Sequence, residues 1–286
     1  MSFVEDALKF HAEHNGMLAV ASKVPLNNRE DLALAYTPGV AEPCKAIKEN
    51  KELSFEYTCR GNTVAIVSDG TRVLGLGDIG PEAAMPVMEG KAVLFKTFGD
   101  VDAIPICIDT KDPEEIIETV RRLQPTFAGI NLEDFSSPKC YEIEDRLREI
   151  CDIPVFHDDQ HGTAIACLSA VMGALRYVKK DIKDVKVVVN GCGAAGSAIG
   201  RLFVSMGFPN VIMVERVGAL YKGIDAKLDK IQRYLSEVTN PNMEKGTLAE
   251  VAKGADILVG VSGPNLFTKE IIGSMADKAI VFGLAN

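Results

Sequence analysis

The sequence predicts an α/β protein: an N-terminal α/β domain with a short, mostly parallel sheet, joined to a Rossmann-like dinucleotide-binding domain. Three observations predict it. Short apolar runs alternate with helix-length segments, the pattern of a parallel sheet covered on its faces. The run at 185–190 leads into Gly191-Cys192-Gly193-Ala194-Ala195-Gly196, a G-x-G-x-x-G that follows a strand and opens a helix. Two acidic pairs, Glu133-Asp134 and Asp158-Asp159, each follow a strand-like run, at 128–132 and 153–156. Open α/β sheets place their chemistry at such strand ends.

The elements follow in order. Residues 3–21 read as a helix, followed by an irregular stretch rich in Pro, Gly and Asn, with a short helix at 44–49. Strand signals at 63–67 and 72–76 flank Ser68-Asp69-Gly70-Thr71 and read as a hairpin. Residues 81–98 look helical with interruptions, and 103–108 is an apolar strand. Asp112-Pro113-Glu114-Glu115 is an N-cap, a first-position proline and an acidic first turn, followed by apolar Ile116, Ile117, Val120 and Leu123. A strand at 128–132 and a helix at 140–150 precede the acidic motif, which reads as a loop between strand and helix. The helix at 163–178 is apolar nearly all round, which predicts burial between domains. Later strands read at 185–189, 211–214, 256–261 and 279–282. The boundary falls at the acidic motif, giving a catalytic domain over 1–160 and a nucleotide domain over 161–286.

With 286 residues, 47% hydrophobic and 25% charged, the chain has the composition of a globular protein with a sizeable core. The net charge of −9 argues against nucleic acid or an anionic membrane as partner. Neither a signal-peptide pattern at the start nor a membrane-length apolar run is visible. The seven cysteines are scattered without a Cys-x-x-Cys, which fits reduced thiols in a cytoplasmic protein and not a soft-metal site.

In the glycine motif, Gly191 permits the tight turn, Gly193 lets backbone approach a pyrophosphate, and Gly196 lets helix and strand pack closely. The helix N-terminus, with the N–H groups of Ala194 and Ala195, then faces the anion. Glu215 ends the next strand-like run 19 residues past Gly196, where an acid bonds the ribose hydroxyls and favours NAD. Arg216 beside it could instead meet a 2′-phosphate, so NADP stays open. Ser262, past the strand at 256–261, completes the expected cofactor set. Carboxylates from Glu133, Asp134, Asp158 and Asp159 suit a hard divalent cation, unless they merely cap helices. Arg72, among glycines, suits a substrate carboxylate. Lys91, inside an apolar helix, either snorkels to the surface or is semi-buried and able to act as a base. Tyr36 precedes a Pro-Gly turn and reads as packing or as an acid. His157 and His161 flank the acidic motif but do not form H-E-x-x-H, so zinc hydrolase chemistry fits poorly.

Taken together, these motifs resemble the malic enzymes, the short bacterial and archaeal type in particular. The resemblance rests on Tyr36-Thr37-Pro38-Gly39-Val40-Ala41, on Arg72-Val73-Leu74-Gly75-Leu76-Gly77-Asp78-Ile79-Gly80 and on Glu89-Gly90-Lys91. It rests equally on Asn131-Leu132-Glu133-Asp134-Phe135, on 156–164 and on the glycine motif, and so extends over the chain. It implies oxidative decarboxylation of L-malate to pyruvate and CO2 with NAD or NADP, NAD slightly favoured, and Mg2+ or Mn2+. It further implies metal ligands at Glu133, Asp134 and Asp159, Lys91 as general base tuned by Asp158, and Tyr36 as general acid. Arg72 and Asn286 would contact substrate, and the protein would be a homodimer. In the family the motif at 283–286 continues into a further segment, so the chain as it stands is expected to leave a sheet edge and apolar surface uncovered and to aggregate or be weakly active. Two other readings are a different metal-assisted 2-hydroxy-acid dehydrogenase and a non-catalytic dinucleotide-binding fragment; metal dependence and turnover separate them.

Overall fold

A computed structural model describes residues 2–285, so Asn286 lies outside the described residues. The chain separates into two units, Met1–Phe135 with Ile143–Phe156, and Ser136–Glu142 with His157–Asn286.

The first unit contains α1 (Phe3–His14), α2 (Arg29–Ala35), α3 (Ala41–Glu49), α4 (Ser54–Tyr57), β1 (Thr63–Ser68), α5 (Pro81–Gly99), β2 (Asp102–Cys107), α6 (Pro113–Leu123) and β3 (Gly129–Leu132). α7 (Lys139–Ile150) and β4 (Val155–His157) lie across the division, and the sheet runs β2-β1-β3-β4. β1 is parallel to β2 and to β3, with Val64 opposite Ala103 and Gly129. Successive strands thus lie on opposite sides of β1, and the C-terminal ends of β1 and β3 flank a topological switch point. α5 covers β1 and β2: Ala84, Met88 and Ala92, one turn apart, are its buried positions, and Met88 and Ala92 cluster with Ile66 and Ala103. The predicted start of α6 is present, Asp112 accepting from the N–H groups of Glu114 and Glu115.

Two sequence expectations fail here. α1 ends at His14, seven residues early, because Asn15 turns left-handed (φ 51°) and Gly16 follows at φ 93°. Leu18 and Val20, within the span expected to be helical, are exposed. The second strand of the expected hairpin does not form. Both edges of β1 are already paired with β2 and β3, so residues 72–76 have no strand to join. They lie in a loop closed by the Ile79 N–H to Gly70 carbonyl bond (3.0 Å), with only an isolated bridge between Val73 and Gly77. A side chain at Gly70 would put its Cβ 2.2 Å from the Gly80 carbonyl, so closure requires glycine.

The second unit contains α8 (Asp158–Val178), β5 (Lys186–Asn190), α9 (Ala194–Ser205), β6 (Asn210–Glu215), β7 (Gly218–Ala219), α10 (Lys230–Val238), α11 (Leu248–Val251), β8 (Ile257–Gly260), α12 (Lys269–Gly273) and β9 (Ile280–Gly283). The sheet order is β7-β6-β5-β8-β9; all pairs are parallel except β6 with β7. Alternate residues of β5 feed two cores. Val187 and Val189 pack with α8 and α9 through Val171, Ile199 and Phe203, while Val188 packs with Ile212, Leu258 and Val251. The sheet is therefore covered on both faces, as expected.

α8 differs from expectation twice. It begins at Asp158, so Asp158, Asp159 and His161 occupy its first turn and not a loop. Carboxylates there face the unpaired N–H groups of the helix start, which favours the extra turn. Nor is α8 buried all round: Ala164, Cys167, Val171 and Leu175 form one buried stripe, while Ile165 and Tyr177 are exposed. No helix of the described residues is long and apolar enough to cross a membrane.

Candidate catalytic and dinucleotide centres

In the first unit the candidate site gathers at the switch point. Glu133 directly follows β3, and its N–H bonds the Val67 carbonyl at 2.9 Å, which fixes it beside the end of β1. Its carboxylate is 5% exposed with its residue and receives two donors: Asn131 Nδ2 on Oε2 at 2.8 Å and Lys91 Nζ on Oε1 at 3.0 Å. Lys91 is semi-buried on α5 and turned toward Glu133, so it does not snorkel to the surface. Asp134 is buried in a left-handed conformation (φ 58°), and its carbonyl accepts the Arg72 N–H at 2.9 Å. That bond ties the Gly70–Gly80 loop to the acidic pair, with the Arg72 side chain exposed. Tyr36 is the C-cap of α2 and is 68% exposed.

In the second unit, Asp158 and Asp159 open α8 after His157, which is fully buried with Nε2 3.7 Å from Asp159 Oδ2. Gly162 lies under Asp158: a Cβ there would fall 2.1 Å from Asp158 Oδ1. Buried Gln160 accepts from Arg201 Nη2 at 3.0 Å, which anchors the helix start to α9.

The glycine motif has the expected form. Gly191 turns at φ 114°, a conformation that disfavours any side chain, and its N–H bonds the Val214 carbonyl at 2.8 Å. A Cβ at Gly196 would lie 1.8 Å from the Gly191 carbonyl oxygen, so turn and helix meet where only glycine fits. At Gly193 a Cβ would meet nothing within 4 Å, which leaves that side open for a ligand. Gly193 caps α9 without a side-chain bond, so the first-turn N–H groups of Ala194, Ala195 and Gly196 are donors aimed out of the helix. Ser262 packs on the turn, its Cβ 3.1 Å from the Gly191 Cβ position. Glu215 ends β6, and its carboxylate accepts the N–H groups of Cys192 and Arg216, both at 3.1 Å. Arg216 is exposed beyond it. β5 and β8 flank the switch point of this sheet, and the turn sits at their C-terminal ends.

Three participants escaped the sequence reading. Asn131 holds Glu133; two residues earlier on the same strand, it shares a sheet face with it. Gly162 makes room for Asp158 at the four-residue helical spacing. Asn190, buried before Gly191, has an Nδ2 without a hydrogen-bond partner among the described residues, an unused donor at the nucleotide edge.

Comparison with known proteins gives matches over most of the chain. The profile of the malic enzyme N-terminal domain matches residues 15–148, and that of the malic enzyme NAD binding domain matches 160–286. A bifunctional malic/malolactic enzyme of Bacillus subtilis is 49% identical over the whole chain, which spans 70% of that protein. The chain belongs to the malic enzyme family. The NAD-dependent malic enzyme of Geobacillus stearothermophilus is 52% identical over 95% of the chain, which spans 56% of that relative. The NADP-dependent malic enzyme of Escherichia coli is 46% identical over 99% of the chain, which spans 37% of it. Among solved structures, the NAD-dependent malic enzyme of Thermotoga maritima superposes with a TM-score of 0.95 at 47% identity, covering 98% of this chain and 75% of that one. The fold expected of a malic enzyme, a mostly parallel α/β sheet with a Rossmann-like nucleotide domain, is therefore the fold observed.

Proposed function

We propose that the chain catalyses the oxidative decarboxylation of L-malate to pyruvate and CO2, reducing NAD or NADP. The observation that carries this is the semi-buried Lys91 held 3.0 Å from buried Glu133 at the switch point of the first sheet, in a malic enzyme family chain. Lys91 takes the proton of the malate C2 hydroxyl as hydride leaves C2 for the nicotinamide, and Asp158 tunes it. Arg72 binds a malate carboxylate. After the C3–C4 bond breaks and CO2 departs, Tyr36 gives a proton to C3 of the enol. Asn286 is assigned to substrate contact by resemblance alone.

The donor set fits a hard cation. Glu133 and Asp134 are adjacent buried oxygen ligands of the kind Mg2+ or Mn2+ takes, and by the family resemblance Asp159 is assigned to the same ion. A divalent ion held there would supply Lewis-acid chemistry to the malate oxygens. The open Gly193 side, the α9 N-terminus and the unused Asn190 donor fit a dinucleotide. The catalytic part is assigned to 1–160 and the nucleotide part to 161–286. A homodimer is proposed as well, supported by exposed Phe3, Val4, Leu8 and Leu34 on α1 and α2.

The test is malate-dependent formation of reduced cofactor with Mn2+, with and without EDTA, beside Lys91→Ala. Metal-dependent turnover that yields pyruvate and vanishes in the variant is expected. Equal rates for wild type and variant would overturn the assignment.

A further inference from the structure

We propose that the cleft beyond β6 receives the adenosine 2′-phosphate of NADP, gripped by Lys245 together with Arg216, so that the chain selects NADP over NAD. This rests on the dinucleotide reading above and names the specificity-determining residue it leaves open.

The cleft has a volume of about 490 Å3 and is lined by Arg216, Tyr221, Asp225, Lys245 and Thr247 among others. Its construction explains why two cations far apart in sequence share it. β6 and β7 form a tight hairpin in which Glu215 pairs with Gly218. The Ala219 N–H then bonds the Gly246 carbonyl at 2.8 Å, which fastens the 245–247 turn onto the hairpin. The approach is so close that a Cβ on Gly218 would lie 2.6 Å from the Gly246 carbonyl oxygen, and both glycines have positive φ (96° and 124°). Lys245 is thereby delivered to the cleft that Arg216 enters from the end of β6. Lys245 Nζ stands 4.6 Å from the centre of the Tyr221 ring, a contact that steadies the ammonium without neutralising it.

The charges point to an anion. Glu215, which the sequence assigns to the ribose hydroxyls of NAD, has both carboxylate oxygens engaged by backbone N–H groups at 3.1 Å and is not among the residues that line the cleft. The cleft itself holds two cations against one carboxylate, Asp225. It adjoins Glu215, which ties it to the glycine turn through Cys192 and sets it at the adenosine end of a bound dinucleotide. A 2′-phosphate, dianionic and rich in acceptors, matches an arginine fork and a lysine ammonium.

The experiment is calorimetry on the whole chain with 2′,5′-ADP, 5′-AMP and NAD+; the first two differ only in the 2′-phosphate. 2′,5′-ADP is expected to bind at least about tenfold more tightly than 5′-AMP, the scale of one charge-assisted contact. Lys245→Met, which keeps the apolar stem over Tyr221, should remove most of that advantage with the 5′-AMP affinity nearly unmoved, and Lys245→Arg should restore it. Equal binding of the two probes, or a Lys245→Met loss shared by both, overturns the inference while NAD+ binding upholds the dinucleotide reading. Binding of none of the three overturns both.

Discussion

The glycine turn offers the sharpest contrast between stability and binding. Two of its glycines are required for different reasons, and a single methyl group at each tells them apart. At Gly196 a Cβ would sit 1.8 Å from the Gly191 carbonyl oxygen and 3.0 Å from Val261 Cγ2. Non-bonded heavy atoms prefer about 3.5 Å, so the turn must open by about 1.7 Å between β5 and α9. Both elements belong to the main core of this unit, through Val187, Val189, Ile199 and Phe203. Overpacking of that kind costs about 1–3 kcal/mol, a loss of roughly 2–5 °C in Tm for a protein of this size. At Gly193 a Cβ meets nothing within 4 Å, so the folded chain accepts alanine at little cost. The same methyl would stand where a pyrophosphate must approach the α9 N-terminus. Gly193→Ala should therefore keep the wild-type melting temperature and lose about tenfold or more in NAD+ affinity, while Gly196→Ala loses both. Differential scanning calorimetry and titration with NAD+ separate the two. A Gly193→Ala chain that binds as tightly as wild type, or a Gly196→Ala chain with unchanged melting, refutes the reasoning.

Further outcomes follow from the same geometry. Glu133→Gln removes a buried carboxylate that holds Lys91 and is assigned to the cation, so Mn2+ affinity measured by calorimetry should fall about tenfold or more; unchanged affinity would remove Glu133 from the ligand set. Gly162→Ala must displace the Asp158 carboxylate, 2.1 Å from the new Cβ, so kcat should drop with NAD+ affinity retained, and a wild-type kcat would show Asp158 is not needed in place. Burial pushes the Cys167 thiol up to about 11 and Cys192 higher still, and a thiolate is the reactive form, so both should resist maleimide at pH 8 while exposed Cys44 and Cys59 label; mass spectrometry showing early label on Cys192 would contradict this. Asp256 accepts Lys180 Nζ at 2.6 Å and the Lys186 N–H at 2.9 Å at the start of β5, so Asp256→Ala should cost about 1–3 kcal/mol in urea unfolding.

What the sequence revealed, and what it hid, divides along physical lines. Features set by local chemistry were legible: the Asp112 cap with Pro113, the alternation of strands and helices, and the glycine turn between strand and helix. Features set by what a strand is already paired with were not. Residues 72–76 have the composition of a hairpin strand, and only the occupied edges of β1 prevent it. The acidic motif reads as a loop from its place between strand and helix, yet its carboxylates are favourable in the first turn of a helix. Asp158 and Asp159 were noticed for their charge, while Gly162 was silent because its role is the space it leaves. Lys91 stood between two readings that composition could not separate. The partner that decides between them, Glu133, is 42 residues away in sequence and reaches it only through the parallel pairing of β1 with β3.

The two sheets reach opposite ligand chemistry from one topology. In each, a central strand is flanked by strands that follow it on opposite sides: β1 by β2 and β3, β5 by β6 and β8. Each leaves a crevice at the C-terminal ends where helices cannot close over the strands. What fills the crevice sets the charge it prefers. Beside β1 the chain places Glu133 and Asp134, buried, so that negative charge is concentrated and a cation is the natural counterpart. Beside β5 it places glycines and the capless start of α9, so that N–H groups converge and an anion is the counterpart. A swap of sign in either crevice is the direct probe of that argument. Asp134→Asn keeps the side-chain volume but halves the formal charge of the first pair, and should weaken Mn2+ while leaving NAD+ binding untouched. A parallel loss of both affinities would mean that the residue supports the fold and not the crevice.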